Sequence, residues 1–195
     1  TYKLLKPLFI SLFKNSDFKE SEEKIVSFGE FGEIIFPFFS FGNINTLDLF
    51  GIDELIIFAF YVSNKDRYKR VLDIGGNLGL HTILMAKLGW EVNVFEPDPI
   101  HLKFLRKNID INSCNNKVHL FPNAVLDKEA NLEFTRVLGN TTGSHLSGKK
   151  RNPYGKLDKF NVKTVNIKSI IKDVDFIKLD AEGAEVDILK ALDNK

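Results

Sequence analysis

The stretch Val71-Leu72-Asp73-Ile74-Gly75-Gly76-Asn77-Leu78-Gly79-Leu80-His81-Thr82 restricts the fold more than any other part of this chain. Residues 71–74 form an apolar run with one aspartate inside it, which reads as a strand. Three glycines follow, at 75, 76 and 79, and residues 78–88 read as a helix. Glycines at such a turn let the backbone approach a ligand where a Cβ would collide. The helix beyond offers unpaired N–H groups to a carboxylate or phosphate.

The same rhythm runs through residues 67–195. Residues 92–95, 118–121 and 175–179 read as strands, and 99–111 and 184–192 as helices. Asp98 is a good N-cap and Pro99 a good first helical residue. Strands that are apolar throughout and alternate with helices predict a parallel sheet covered on both faces. Residues 132–136 and 161–167 break the rhythm and read as an inserted antiparallel pair. Between them lies a long polar loop, 139–158, that holds His145 and the run Lys149-Lys150-Arg151. A loop of that length inside a compact domain reads as functional or as disordered. The basic run reads as a solvated face, with a clamp on an anionic substrate as the sharper alternative.

Residues 1–66 differ. Phenylalanine is abundant (18 Phe against 4 Tyr and 1 Trp in the whole chain), and residues 24–28 and 33–36 are short apolar runs between glycines. They predict two strands, and 53–62 predicts a helix apolar all round, hence buried. The phenylalanines are expected in the core. Residues 8–13, flanked by Lys3, Lys6 and Lys14, suggest an amphipathic helix that packs on the domain or touches a membrane surface. The whole is expected to be an N-terminal α+β extension, 1–66, on a cofactor-binding core, 67–195.

Composition excludes several classes. No apolar run reaches the ~18–20 residues of a membrane span. A net charge of +1 provides no broad phosphate track, which argues against a nucleic-acid partner. The single cysteine, Cys114, excludes an internal disulfide or a cysteine zinc site and fits a reducing cytoplasm. No His, Asp and Glu cluster has metal-ligand spacing, so no metal is expected.

Glu96 ends the second strand, 20 residues after Gly76. A carboxylate there can accept hydrogen bonds from both hydroxyls of a ribose. Together with the glycine turn it describes a nucleoside-containing cofactor lying across the carboxyl ends of the strands. A nicotinamide dinucleotide, and hence an NAD(P)-binding oxidoreductase, would want G-x-G-x-x-G. Asn77 stands where that pattern needs its second glycine.

The Asp-x-Gly-x-Asn-x-Gly form of 73–79 instead resembles motif I of class I S-adenosylmethionine-dependent methyltransferases. Phe95-Glu96-Pro97-Asp98 and Asp180-Ala181-Glu182-Gly183-Ala184-Glu185 extend the likeness to the FkbM family, over roughly residues 67–195. The resemblance implies a Rossmann-like α/β sheet, of which this chain supplies the strands ordered 3-2-1-4. It also implies S-adenosylmethionine as cofactor and a sugar, glycan or secondary-metabolite hydroxyl as acceptor. Cofactor contacts would then come from Asp73, Gly75, Gly76, Asn77, Gly79, His81, Glu96, Pro97, Asn123, Ala124 and Asp180. Asp180, with or without Glu182, would orient or deprotonate the acceptor, and His145 and His81 are further candidates for the base. These carboxylates can equally cap the following helix. Gly76 stands where the family often has alanine, a change expected to be harmless. The family sheet has further strands, so truncation at both ends is expected. That would leave the fourth strand as an exposed edge and a route to a homo-oligomer. A non-catalytic module that keeps the methyltransferase fold is the remaining alternative.

Overall fold

The computed structural model describes residues 25–193, apart from 38, 47, 48, 50 and 151–154. Residues 1–14, expected to hold an amphipathic helix, and Arg151 lie outside the described residues.

The centre is a parallel sheet of four strands. These are β3 (Arg70–Ile74), β4 (Glu91–Phe95), β5 (Val118–Phe121) and β10 (Phe176–Leu179). Their order is β10-β3-β4-β5, with Lys178 beside Asp73 and Asp73 beside Val94. Numbered within this sheet alone, that is 4-1-2-3, the expected arrangement read from the other edge. Side chains alternate between faces. Val71 and Val92 therefore join one core while Leu72, Ile74 and Phe95 join the other. All five are at most 3% exposed, which is why these strands show no polar alternation.

The first core lies under three helices, α1 (Ile52–Ser63), α2 (Leu80–Lys87) and α3 (Pro99–Ile111). α3 begins as its sequence predicts, with the Asp98 side chain accepting from the N–H groups of Ile100 and His101. α2 starts two residues later than expected. Asn77 (φ +50°) and Gly79 (φ +90°) are left-handed, and a right-handed helix cannot pass through them. The short strands β1 (Ile25–Ser27) and β2 (Glu33–Ile35) pair antiparallel, as expected. Phe31, Phe36, Phe41 and Phe58 are buried. A ring cluster of Tyr61, Tyr68, Trp90 and Phe176 joins α1 to the sheet, with Tyr68 stacked on Phe176 at 5.1 Å. Each fully buried large apolar side chain contributes about 1.5–3 kcal/mol. One expectation fails here. α1 buries only Phe58 and Tyr61, while Ile56 is 65% exposed and Phe60 42%. The helix is too apolar for periodicity to reveal which face meets the core.

The second core is capped by a second sheet and two helices. The inserted antiparallel pair is present as β7 (Ala130–Val137) and β9 (Leu157–Asn166). It is larger than expected, since β6 (Ala124–Leu126) pairs parallel with β9 and β8 (His145–Leu146) pairs with β7. His145 is therefore in a buried strand and not in the polar loop. α4 (Ile167–Ile170) and α5 (Glu185–Asp193) complete this face. Among the described residues no helix is long and apolar enough to cross a membrane.

Candidate active site

The turns after β3, β4, β5 and β10 converge on one cleft at the carboxyl end of the sheet. Its walls are Gly75 and Asn77, Glu96 and Pro97, Asn123 and Ala124, and Asp180 and Glu182. Thr141, Thr142, Ser144 and Leu146 reach it from the second sheet. The β3 turn is pinned at its base. The N–H groups of Gly75 and Gly76 both donate to the Phe95 carbonyl, at 3.0 and 3.1 Å. A Cβ on Gly75 would stand 1.9 Å from the Asp180 carbonyl oxygen, and its φ is +82°. Only glycine allows the first and fourth strand ends to meet this closely. At Gly76 the constraint is steric, because a Cβ would stand 2.3 Å from Val94 Cγ2. Glycine is therefore the residue this turn accommodates, and an alanine would force Val94 to shift.

Three carboxylates of the inner turns are buried and partnered. Asp73 is wholly buried; Oδ2 accepts from Thr82 Oγ1 at 2.5 Å and Oδ1 lies 3.3 Å from Lys178 Nζ. Glu96 accepts from the N–H groups of Asn77 (2.7 Å) and Asp98 (2.8 Å). Burial pushes its carboxyl up to about 8, against the pull of those two donors. His101, 3.9 Å from Glu96 Oε1, is pulled down to about 4 by its own burial. Burial disfavours the charged form of both groups, and at 3.9 Å their contact is not a close ion pair. Asp98 meets Arg136 through two bonds of 2.6 Å, and Arg136 also reaches Asp158 at 2.6 Å. Burial opposes ionisation of Asp98, but Arg136, His101 and the Ile100 N–H together outweigh it and hold the carboxyl below its usual value. This bidentate pair ties the second sheet to the start of α3.

A second cavity adjoins the cleft and shares Gly75, Asn77, Thr142, Asp180 and Glu182 with it. Its other walls include Lys178, His81 and, from α1, Glu54. His81 is doubly engaged: Nε2 lies 2.9 Å from Glu54 Oε2 and Nδ1 2.9 Å from the Tyr61 hydroxyl. His81 keeps the Glu54 carboxyl low, and burial first, then Asp73 and Glu54, holds the Tyr61 phenol above its ordinary value. Lys178 donates to the Gly75 carbonyl at 2.8 Å and lies 3.8 Å from Asp180 Oδ2.

Most of the sequence-named residues face these two cavities. Gly75, Asn77, Glu96, Pro97, Asn123, Ala124, Asp180 and Glu182 line the first, and Gly76 and His81 the second. Asp73 and Gly79 line neither; a Cβ on Gly79 would meet Leu105 Cδ1 at 2.3 Å, so its role is packing. His145 also lies outside both, 2% exposed, with Nδ1 3.0 Å from the Gly143 carbonyl. Glu182 has φ +49° and is paired with Lys150; Lys149 is paired with Asp187. The two lysines thus hold the polar loop onto the β10–α5 turn. Sequence reasoning missed Lys178, His101, Glu54 and the threonines. Only Lys178 carried a signal, as a charge inside an apolar strand.

Residues 73–195 match the methyltransferase FkbM domain. The chain belongs to that family. It is also 25% identical over 147 residues to methyltransferase 1 of Beauveria bassiana strain ARSEF 2860, covering 64% of this chain and 59% of that protein. Among solved structures it is similar to methyltransferase FkbM from Methylobacillus flagellatus KT, at 20% identity and a TM-score of 0.44. That match covers 64% of this chain and 28% of the other. A human methyltransferase 10 domain containing protein matches at 20% identity and a TM-score of 0.34, over 62% of this chain and 49% of its own. The chain thus spans less than two thirds of these relatives. In this FkbM domain the glycine turn, the Glu96 strand end and the Asp180 turn surround one cleft. Glu54 and Tyr61, which precede the matched residues, complete the neighbouring cavity and its His81 contacts.

Proposed function

We infer that this chain carries an S-adenosylmethionine-dependent methyltransferase that acts on a hydroxyl oxygen of a sugar, glycan or small metabolite. The observation that carries the reading is the pair of acceptors across the glycine turn. Glu96 ends β4 in the cleft, held by two backbone N–H groups, and Asn77 Oδ1 is buried without a hydrogen-bond partner among the described residues. A buried acceptor left unpaired costs about 1–3 kcal/mol, so Asn77 suits a ligand that brings a donor. The residues present fit a nucleoside with an amino-acid tail. Glu96 would take the ribose hydroxyls, and Phe95, Pro97, Ala124 and Val125 provide an apolar slot for the base. Asn123, whose Nδ2 reaches only the Lys163 carbonyl at 3.4 Å, is free to turn toward the base edge.

When bound, the cofactor supplies a methyl group made electrophilic by its sulfonium. The protein must then align the acceptor oxygen, exclude water and take one proton. Asp180, 64% exposed and shared by both cavities, suits the proton acceptor, with Glu182 as its neighbour. The Thr141–Ser144 roof, bonded to the N-terminal region through Thr141 N and the Phe41 carbonyl at 2.8 Å, suits exclusion of water. Residues 1–66 act as an extension to the 67–195 core in this reading. Calorimetry with S-adenosylhomocysteine tests it: saturable binding that Glu96→Ala weakens at least tenfold is expected. Folded protein that binds NADH and not the thioether would overturn it.

A further inference from the structure

Lys178 is unexpected. It stands inside a strand of otherwise apolar residues, with its side chain 14% exposed. Its neighbours across and along the strand are acidic. Asp73, wholly buried, lies at 3.3 Å and Asp180 at 3.8 Å, and the Gly75 carbonyl accepts from Nζ at 2.8 Å. Glu54 faces the same cavity. Burial alone would lower the lysine, but the charges of Asp73 and Asp180 outweigh it and hold Lys178 above its ordinary value. The ammonium is therefore a fixed positive charge directly beneath the glycine turn. The other two acidic residues of this cavity are partnered elsewhere, Glu182 with Lys150 and Glu54 with His81. Lys178 is thus the cation that offsets Asp73 and Asp180.

We propose that Lys178 is the charge-balancing residue of the cofactor site and sets its preference between sulfonium and thioether. This rests on the reading of the cleft as an S-adenosylmethionine site. Carboxylates without a counter-ion beside a sulfonium would favour the charged cofactor in the ground state. Positive charge leaves the sulfur as the methyl moves, so such binding is weaker in the transition state and slows the transfer. Lys178 reduces that ground-state attraction while it keeps Asp73 and Asp180 apart from one another's repulsion. The role is positioning and electrostatic, since Nζ is taken by protein acceptors.

The test needs no acceptor substrate. Affinities for S-adenosylmethionine and S-adenosylhomocysteine are measured by calorimetry on the full chain at one pH and ionic strength. Lys178→Met is expected to raise the ratio of sulfonium to thioether affinity roughly tenfold, the scale of one charge at a partly screened distance. Lys178→Arg keeps the charge and should leave the ratio within about twofold. A Lys178→Met protein that binds both ligands more weakly by the same factor would overturn the proposal, because loosened structure affects both alike. Should that variant fail to fold, Asp180→Asn decides. It removes an exposed carboxylate, leaves Lys178 in excess and should lower the ratio; an unchanged ratio rejects the assignment. If the wild type binds neither ligand, the cofactor reading itself fails, and this assignment with it.

Discussion

The carboxylates at the strand ends fall into two groups that differ in exposure. Asp73, Glu96 and Asp98, on or just beyond the central strands β3 and β4, are at most 4% exposed and carry fixed partners. Asp180 and Glu182, beyond the edge strand β10, are 64% and 28% exposed in their side chains. The difference is topological. Strands β3 and β4 have neighbours on both sides and layers on both faces, so a carboxylate at their ends must find donors within the protein. Strand β10 is an edge among the described residues, and its terminal turn can point side chains into open space. One half of the site is therefore built in advance, and the other is left accessible to a substrate.

The sharpest way to break this contrast is to remove a partner on the buried side. Arg136→Met strands Asp98, and the expected loss is about 3–5 kcal/mol in chemical denaturation. Gly75→Ala follows, since its Cβ would collide with the Asp180 carbonyl at 1.9 Å; a loss of about 2–4 kcal/mol is expected. The effect of Glu96 is read as a slope in pH and not as a loss on substitution. Its carboxyl titrates near 8 in the folded protein and at an ordinary value near 4.3 when unfolded. Between these limits the folded state holds the extra proton. Stability from this site is thus full below about 4 and declines as pH rises toward 8. Thermal melts from pH 5 to 8 should show this slope, and Glu96→Gln should flatten it. The smallest change in stability belongs to the open side: Asp180→Asn should shift it by less than about 0.5 kcal/mol. The same variant should lose most methyl transfer to any hydroxyl acceptor the wild type accepts. A large loss of stability there would show that β10 ends as rigidly as β3 and β4.

Legibility in the sequence followed the same division. Asp73, Glu96 and the Asp98 cap could be read because strand, turn and helix follow one another within a few residues, and local rules govern them. The order of the parallel strands, by contrast, was implied by the resemblance to the methyltransferase family and not by any local pattern. The extent of the second sheet was not legible. β6 and β8 are three and two residues long, and their pairing is decided by partners 40 and 10–12 residues away respectively. His145 was misplaced as a result. The face of α1 was hidden by an excess of apolar residues. His101 reads as an ordinary helix residue until Thr141, 40 positions later, comes to lie 3.0 Å from it.

Local pattern was enough for the parallel sheet, the glycine turn at its centre and the family, because apolar strands and a residue-specific turn are encoded where they stand. The tertiary structure alone decided which carboxylates are buried. It also decided that Arg136 answers Asp98 and Lys178 answers Asp73, and that Glu54 reaches the cavity from outside the matched domain. Burial and charge pairing depend on what arrives from elsewhere in the chain, and no local pattern carries that information.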